Sequence, residues 1–281
     1  DHDCVLTSAK WLESLGFKIT VLPVNKYGLI NLDSLERALS ENITLVSVVH
    51  GNNEIGTIQP IEEITRTCHK HNALFHTDAV QSFGKLEINV KAMQVDMVSI
   101  SAHKLYGPKG MGALYVRREP PVKLHPLIHG GGHEMGMRSG TLATHQIVGL
   151  GEAAAIMQAH MHEEQVRLSS LRQRMLAHLQ QIPDTHINSH PDHNLPSILN
   201  VGFADVDGET LLLALDDLAV SSGSACTSAS VEPSFVLRAI GVPDDIAHAS
   251  IRISFGRFTT ADDVDHAGER IAAVVGRLRT P

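Results

Sequence analysis

The first half of the chain switches repeatedly between a helical spacing of apolar residues and short apolar runs. The helical spacing predicts helices over residues 2–15, 32–39 and 60–71, and Gly16 ends the first of them. The apolar runs predict extended segments at 17–22, 43–49, 73–77, 95–101 and 111–116. The run at 43–49 is nearly continuous, which is typical of a strand covered on both faces. Strands that alternate with helices at this spacing imply βαβ units and a mostly parallel sheet.

The second half of the chain has a different pattern. One helical stretch covers residues 144–180 and ends before Pro183, with strands expected near 198–201 and 250–255. Further helices are expected at 208–218, from Pro233 onward and at 260–278. This pattern predicts a smaller α+β domain. We therefore expect a large domain over residues 1–160 and a small domain over residues 161–281, joined through the long helix.

Composition narrows the function classes. The chain has 281 residues, 43% of them hydrophobic and 19% charged, which describes a globular protein with room for about two domains. A net charge of −8 argues against nucleic acid as the main partner, and no apolar run is long enough to predict a membrane span. The cysteines Cys4, Cys68 and Cys226 are odd in number and far apart, which suits a reducing compartment. With no signal-peptide pattern at the start, we expect the cytoplasm, with the mitochondrial matrix as the alternative.

Polar clusters follow three of the predicted strands, at residues 50–54, 78–81 and 101–104. In a parallel sheet such strand ends share one edge, where ligands bind. Lys104 is the most informative residue, because its amine could form a covalent bond with a carbonyl cofactor in a partly desolvated cleft. Asp78 would then pair with a pyridinium nitrogen, as pyridoxal phosphate requires. The alternative for Lys104 is an ordinary solvated surface lysine.

Two further features carry chemistry in the second half. Cys226 lies within a stretch of small residues, 221–230, which favours an exposed nucleophilic or sulfur-carrying thiol. Cys4 and Cys68 fall inside predicted helices and are interpreted as structural. Arg252 lies in an otherwise apolar strand, where it would bind either a substrate carboxylate or an internal acid. The histidine pairs 129/133 and 190/193 lack the accompanying ligands of a zinc site, so no resident metal is expected.

Several motifs together resemble those of the cysteine desulfurases. They are Asn52-Asn53-Glu54-Ile55-Gly56, the segments 76–81, 101–110, 130–141 and 221–236, and the C-terminal segment 251–260. The resemblance spans essentially the whole chain and is closest to the iron–sulfur-cluster type with a long cysteine loop. It implies an α/β enzyme with the pyridoxal-phosphate-dependent fold type I, its large domain partial, that takes sulfur from L-cysteine and releases L-alanine.

The resemblance also assigns roles to individual residues. It implies that Lys104 holds the cofactor covalently, that Asp78 faces the ring nitrogen and that Gln81 reaches the ring hydroxyl. The other expected cofactor contacts are Ser101, Ala102 and His103 near the phosphate, His2 stacked on the ring, Asn53, and Thr141 on the phosphate held by a second subunit. Asn53 and Arg252 surround the substrate carboxylate, and Cys226 receives the sulfur. A homodimer, iron–sulfur scaffold proteins and other sulfur acceptors are the implied partners, while transient cluster binding at Cys226 is left open.

Members of that family carry about a hundred residues before the position that matches His2. Those residues include a Gly-x-Thr turn at which a helix N-terminus binds the cofactor phosphate. The resemblance therefore implies a piece of a longer protein, a shortened gene product, or a second polypeptide that supplies the segment. Two alternatives to a working desulfurase stay open: a weakly active or inactive relative that serves as a sulfur-relay or partner module, and a selenocysteine lyase. A plain aminotransferase would have no use for Cys226.

Overall fold

The computed structural model describes residues 1–222 and 233–280. In that part of the chain the helices are α1 (Asp3–Ser14), α2 (Leu32–Leu39), α3 (Ile61–Lys70), α4 (Thr144–Leu179), α5 (Gly208–Ala214), α6 (Phe235–Ala239), α7 (Asp244–His248) and α8 (Ala261–Leu278). The strands are β1 (Leu45–Val49), β2 (Leu74–Asp78), β3 (Met97–Ser101), β4 (Gly112–Val116), β5 (Thr185–Ile187), β6 (Ile198–Phe203) and β7 (Ser250–Ser254).

The chain divides into two compact units. Leu39–His50 and Pro60–Met161 form one of them, which we call the parallel-sheet unit. Asp1–Ala38, Gly51–Gln59 and His162–Pro281 form the other, the antiparallel-sheet unit. Sequence patterns predict a boundary between residues 160 and 161. The structure divides the chain close to that point, but it also groups the two early segments with the C-terminal residues.

The parallel-sheet unit is built on a four-stranded sheet in the order β1-β2-β3-β4. The first three strands are parallel, with Val49 opposite Asp78 and Asp78 opposite Ser99, and β4 is antiparallel to β3. Helix α3 buries one apolar stripe that includes Ile61 and Ile64, as the i, i+3 spacing predicts. The expected mostly parallel α/β sheet is thus confirmed.

A buried aspartate fixes the start of β3 in this unit. Asp96 is fully buried and accepts a hydrogen bond from the backbone N–H of Phe75 at 2.6 Å. Its carboxylate also lies 2.7 Å from Nη2 of Arg117 and 2.9 Å from Nε2 of His69. A buried carboxylate is stable only when it is paired in this way. The arrangement connects α3, β2 and the end of β4 to the start of β3. The other end of β3 carries the polar cluster at residues 101–104.

The antiparallel-sheet unit is built on the order β5-β6-β7, with both strand pairs antiparallel. Every residue of β6 is buried, and Asn200 lies directly opposite Arg252 on β7. The core of this unit packs Val201 and Phe203 against Ile271 and Val275 of α8. A capping box at Thr260 and Asp263 starts α8, which explains why this helix begins where the sequence predicts.

Three local predictions are wrong. Residues 17–22 form no strand, because Phe17 and Val21 are exposed and no strand among the described residues pairs with them. In β1 the predicted burial of both faces fails at Leu45, which is 49% exposed, since β1 is an edge of the sheet within the described residues. The helix expected over 208–218 ends at Ala214. No helix within the described residues is long and apolar enough to cross a membrane.

Candidate functional site

In the parallel-sheet unit, two of the predicted polar clusters meet at one sheet edge. Because β2 and β3 are parallel, Asp78 at the end of β2 and Ser101 at the end of β3 lie at the same, carboxyl edge. The register places Asp78 beside Ser99, two residues before Ser101. The strand-end prediction thus identified residues that the fold brings to a common edge.

Asp78 is a buried carboxyl group, 7% exposed. Its Oδ1 accepts a hydrogen bond from the backbone N–H of Val80 at 2.9 Å, and its backbone oxygen accepts one from His50 N–H at 2.9 Å. The first bond orients the carboxylate, and the second fixes the backbone at the end of β2. A fixed, poorly solvated carboxylate is suited to hold a positively charged ring nitrogen.

His76 lies two residues before Asp78 on β2 and was not singled out from the sequence. Its ring lies between the Ser47 and Ser99 hydroxyls, with Nδ1 2.8 Å from the first and Nε2 2.9 Å from the second, so it spans three strands. Burial lowers the pKa of His76, although the Asp78 charge opposes that shift. The uncharged ring is thereby favoured, and it leaves Asp78 free to compensate another cation. The signal in the sequence was the i, i+2 spacing that places both side chains on one face of the strand.

A hydroxyl and basic groups follow β3. The Ser101 hydroxyl lies 2.8 Å from Nδ1 of the exposed His103. Partial burial and the charges of Lys104 and Lys109 lower the pKa of His103. The side chain of Ala102 is fully buried, and its backbone N–H donates to the Met111 carbonyl at 3.0 Å. A hydroxyl, an imidazole and neighbouring ammonium groups together suit a phosphate.

Lys104 lies in a short 3-10 helix (Ala102–Leu105) directly after β3, and its side chain is exposed. The prediction that the Lys104 amine is partly desolvated is therefore wrong within the parallel-sheet unit. Ala102 and Leu105 turn into the core with Leu150 and Met157, and this leaves Lys104 facing outward. Because Lys104 follows β3 so closely, its backbone lies at the carboxyl edge of the sheet, as predicted.

The remaining residues predicted to contact the cofactor in this unit are less constrained. Gln81 is half-buried, and its Oε1 accepts a hydrogen bond from Nζ of Lys85 at 3.3 Å. Thr141 is exposed, next to a segment held by the bond between Ser139 N–H and the Ile128 carbonyl at 3.1 Å. Their roles toward a cofactor stay predictions.

In the antiparallel-sheet unit, Arg252 and Asn53 contact each other. Nη1 of Arg252 donates to the backbone oxygen of Asn53 at 3.0 Å. Nε of Arg252 is buried without a hydrogen-bond partner in the described residues. The sequence left two alternatives for Arg252, a substrate carboxylate and an internal salt bridge. An unpaired buried donor is costly, so the unpaired Nε favours an anionic ligand as its partner.

Sequence reasoning missed Asn200, and it included Glu54 only as a member of the polar cluster at residues 50–54. Nδ2 of the buried Asn200 donates to the Glu54 backbone oxygen at 3.3 Å. Cross-strand partners Asn200 and Arg252 thus bind the carbonyl groups of two consecutive residues, Asn53 and Glu54. The signal in the sequence was an asparagine in an otherwise apolar strand. A buried asparagine requires a hydrogen-bond partner.

His2 is the N-cap of α1 and is half-buried. Its Nδ1 accepts a hydrogen bond from the backbone N–H of Cys4 at 3.2 Å. The Cys4 side chain is exposed, so its interpretation as a buried structural cysteine is wrong, because α1 has no buried residue. Cys68 is buried as predicted, and burial followed by the Asp96 charge raises the pKa of its thiol to about 12.

Cys226 lies outside the described residues. Ser221, shortly before it in the sequence, forms an antiparallel bridge with Arg252, whose N–H donates to the Ser221 carbonyl at 2.6 Å.

The donor set fits pyridoxal phosphate. The parallel-sheet unit has a buried carboxylate for the ring nitrogen, an accessible amine for the aldehyde carbon, and a Ser–His pair for the phosphate. Across residues 1–222 and 233–280 no group of three or more His, Cys, Asp or Glu could hold a metal ion.

Comparison with known proteins gives a consistent result. The family described as "Aminotransferase class-V" matches residues 1–266 of the chain. "Cysteine desulfurase IscS" of Tolumonas auensis is 53% identical over 279 residues, which is 99% of this chain and 69% of that relative.

Solved structures extend this likeness to the fold. A "NIFS-LIKE PROTEIN" has a TM-score of 0.90 at 37% identity and covers 99% of this chain and 73% of its own. The structure named "SspA in complex with cysteine" has a TM-score of 0.75 at 40% identity, with coverage of 92% of this chain and 72% of that chain.

Proposed function

The chain belongs to the class-V aminotransferase family, and we propose that it is a pyridoxal-phosphate-dependent cysteine desulfurase that converts L-cysteine to L-alanine. One observation gives this proposal its main support. A relative that is 53% identical over 99% of the chain is named a cysteine desulfurase. The same comparisons confirm the expected family, enzyme class and cofactor. L-cysteine is the substrate, in line with the solved neighbour in complex with cysteine.

Asp78, Ser101, His103 and Lys104 are the residues that would hold the cofactor. Pyridoxal phosphate supplies an electron sink that stabilises negative charge at the substrate Cα. The buried Asp78 carboxylate would pair with the ring nitrogen and favour its protonated form, on which the electron sink depends. Ser101 and His103, which lie 2.8 Å apart at Oγ and Nδ1, would bind the phosphate.

The remaining steps belong to the side chains of this chain. Arg252 binds the substrate carboxylate, and the Lys104 amine accepts the proton from Cα and returns protons to the product. The Cys226 thiolate attacks the substrate sulfur, forming a sulfur–sulfur bond as the carbon–sulfur bond breaks. The electron pair of the broken bond stays on carbon, which is protonated to give alanine. Cys226 is left as a persulfide, so one sulfur atom is transferred and no external oxidant is needed.

The partners and the compartment are part of the same proposal. A persulfide must be passed on, so sulfur-acceptor and iron–sulfur scaffold proteins are the proposed recipients. A homodimer in which Thr141 reaches the phosphate bound by the partner subunit is the proposed assembly. The cytoplasm is the proposed location, since a persulfide-carrying thiol must be regenerated in a reducing compartment.

The function is tested by incubating the cofactor-supplemented protein with L-cysteine and a thiol reductant. We expect sulfide and alanine to form in equal amounts, because each turnover removes one sulfur atom and leaves one alanine. L-selenocysteine is assayed in parallel. Absence of alanine, or turnover of selenocysteine alone, would contradict the proposal.

Arg252→Lys tests the substrate-binding role. Lysine keeps the charge but loses the planar pair of donors, so we expect the KM for L-cysteine to rise about tenfold or more with a much smaller change in kcat. Arg174→Lys is the matched control, since Arg174 is half-exposed and pairs with Asp265 in the same unit. Equal KM values for the Arg252→Lys and Arg174→Lys proteins would remove Arg252 from the site.

A further inference from the structure

Glu54 is a buried acid that the mechanism above does not use. Only 3% of its surface is exposed, and it lies between Asn53 and Ile55 in the antiparallel-sheet unit. Its Oε2 accepts a hydrogen bond from the hydroxyl of Ser234, the N-cap of α6. A buried carboxyl group with a hydroxyl as its hydrogen-bond partner costs stability, so its presence requires another explanation.

The Glu54 backbone is held as firmly as its side chain. Its N–H donates to Oδ1 of Asn52 at 2.8 Å, and its carbonyl accepts from Nδ2 of Asn200 at 3.3 Å. The Asn200 amide oxygen in turn accepts from the buried Asn188 at 2.8 Å. This buried chain of bonds fixes the Asn53–Glu54 peptide, and the Asn53 carbonyl is the group on which Nη1 of Arg252 rests.

Polar and charged groups of three elements act on Glu54. The hydrogen bond from Ser234, the N-cap of α6, favours its ionised form, as do the charges of Arg252 on β7 and His2 at the start of α1, whereas Asp3 of α1 opposes that form. Burial is the largest influence and raises the pKa of Glu54 above its ordinary value. An ionised Glu54 therefore competes with any other anion for the charge of Arg252.

Given the proposed function, on which this inference rests, we propose that Glu54 is a positioning residue for substrate binding. It holds the Asn53–Glu54 peptide against Arg252, and its protonation state sets how much of the arginine's charge is available to the substrate carboxylate. A protonated Glu54 leaves Arg252 uncompensated, so a carboxylate ligand binds best in that state. Binding of the carboxylate is thereby linked to proton uptake at Glu54.

The sign of the linkage gives a testable pH dependence. Affinity for a carboxylate ligand falls as the pH rises through the pKa of Glu54, because the ionised form then opposes binding. Glu54→Gln keeps the size of the side chain and an oxygen for Ser234 but cannot ionise. The variant should therefore lose this part of the pH dependence and keep the affinity that the wild type has at low pH.

The experiment measures the Kd of L-alanine by calorimetry with the cofactor-loaded protein at a series of pH values from about 4.5, the ordinary pKa of a glutamate, up to about 8. We expect the wild-type affinity to fall about fivefold more than that of Glu54→Gln over this interval. Ethylamine, which lacks the carboxylate, is the control ligand and should show the same pH dependence in both proteins. An identical pH dependence of L-alanine binding in the two proteins would overturn the inference.

A second variant keeps the test decisive should Glu54→Gln fold poorly. Ser234→Ala removes a hydroxyl that favours the ionised carboxylate, so the midpoint of the pH dependence should move to higher pH. Asp207→Ala is the matched control: it removes the N-cap of α5 in the same unit but touches neither Glu54 nor Arg252. A Ser234→Ala midpoint equal to that of Asp207→Ala would also contradict the role of Glu54. Wild-type protein that makes no alanine from cysteine refutes the proposed function instead.

Discussion

Cys226→Ser should lower sulfide release from L-cysteine by about a thousandfold or more, while the protein still binds pyridoxal phosphate. The reason is that a serine hydroxyl is a far weaker nucleophile toward sulfur than a thiolate, and removal of the nucleophile stops transfer rather than slowing it. Sulfide is measured in the presence of a reductant, and cofactor binding is measured by visible absorbance.

Cys4→Ser is the matched control for this substitution. Cys4 is exposed and therefore reachable by reagents and substrates, whereas Cys68 is buried with its thiol pKa raised to about 12. We expect Cys4→Ser to keep wild-type sulfide release. Loss of activity in Cys4→Ser together with full activity in Cys226→Ser would show that Cys4, and not Cys226, carries the sulfur.

Lys104→Ala should remove covalent retention of the cofactor and lower the rate of alanine formation by about a thousandfold or more. The amine both attaches the cofactor and transfers the Cα proton, and loss of a positioned base alone costs about a hundredfold to ten-thousandfold. Intact mass after borohydride reduction shows the attachment, and amino-acid analysis gives the alanine.

Lys91→Ala is the control, since Lys91 is another exposed lysine of the parallel-sheet unit that lies outside the strand-end clusters. It should retain the mass of the reduced cofactor. Cofactor trapped with equal yield in Lys104→Ala would show that a different amine carries it.

Elements with a strong local signal could be predicted from the sequence. Helix α2 spans 32–39 as expected, because its apolar residues recur at helical spacing behind Asn31. Asp78 and Ser101 were placed at one edge because the ends of parallel strands must coincide. The first prediction needs only residues that are neighbours in the sequence, and the second needs only a general rule of sheet topology.

Contacts between distant parts of the chain could not be predicted in the same way. The bond from Asn200 to Glu54 joins residues 146 positions apart, and that from Ser234 to Glu54 joins residues 180 positions apart. No periodicity reports such pairs, so Glu54 was read only as part of a motif. The exposure of Lys104 depends on which side chains of a four-residue helix turn into the core, which spacing alone does not determine.

The proposed desulfurase mechanism depends on one thiol, that of Cys226, accepting sulfur from L-cysteine. Peptide mass analysis of the cofactor-loaded protein, after a brief reaction with L-cysteine and no reductant, tests this directly. We predict one additional sulfur atom on the peptide that contains Cys226 and none on the peptides of Cys4 and Cys68. Alanine formed while the Cys226 peptide keeps its original mass would contradict the account.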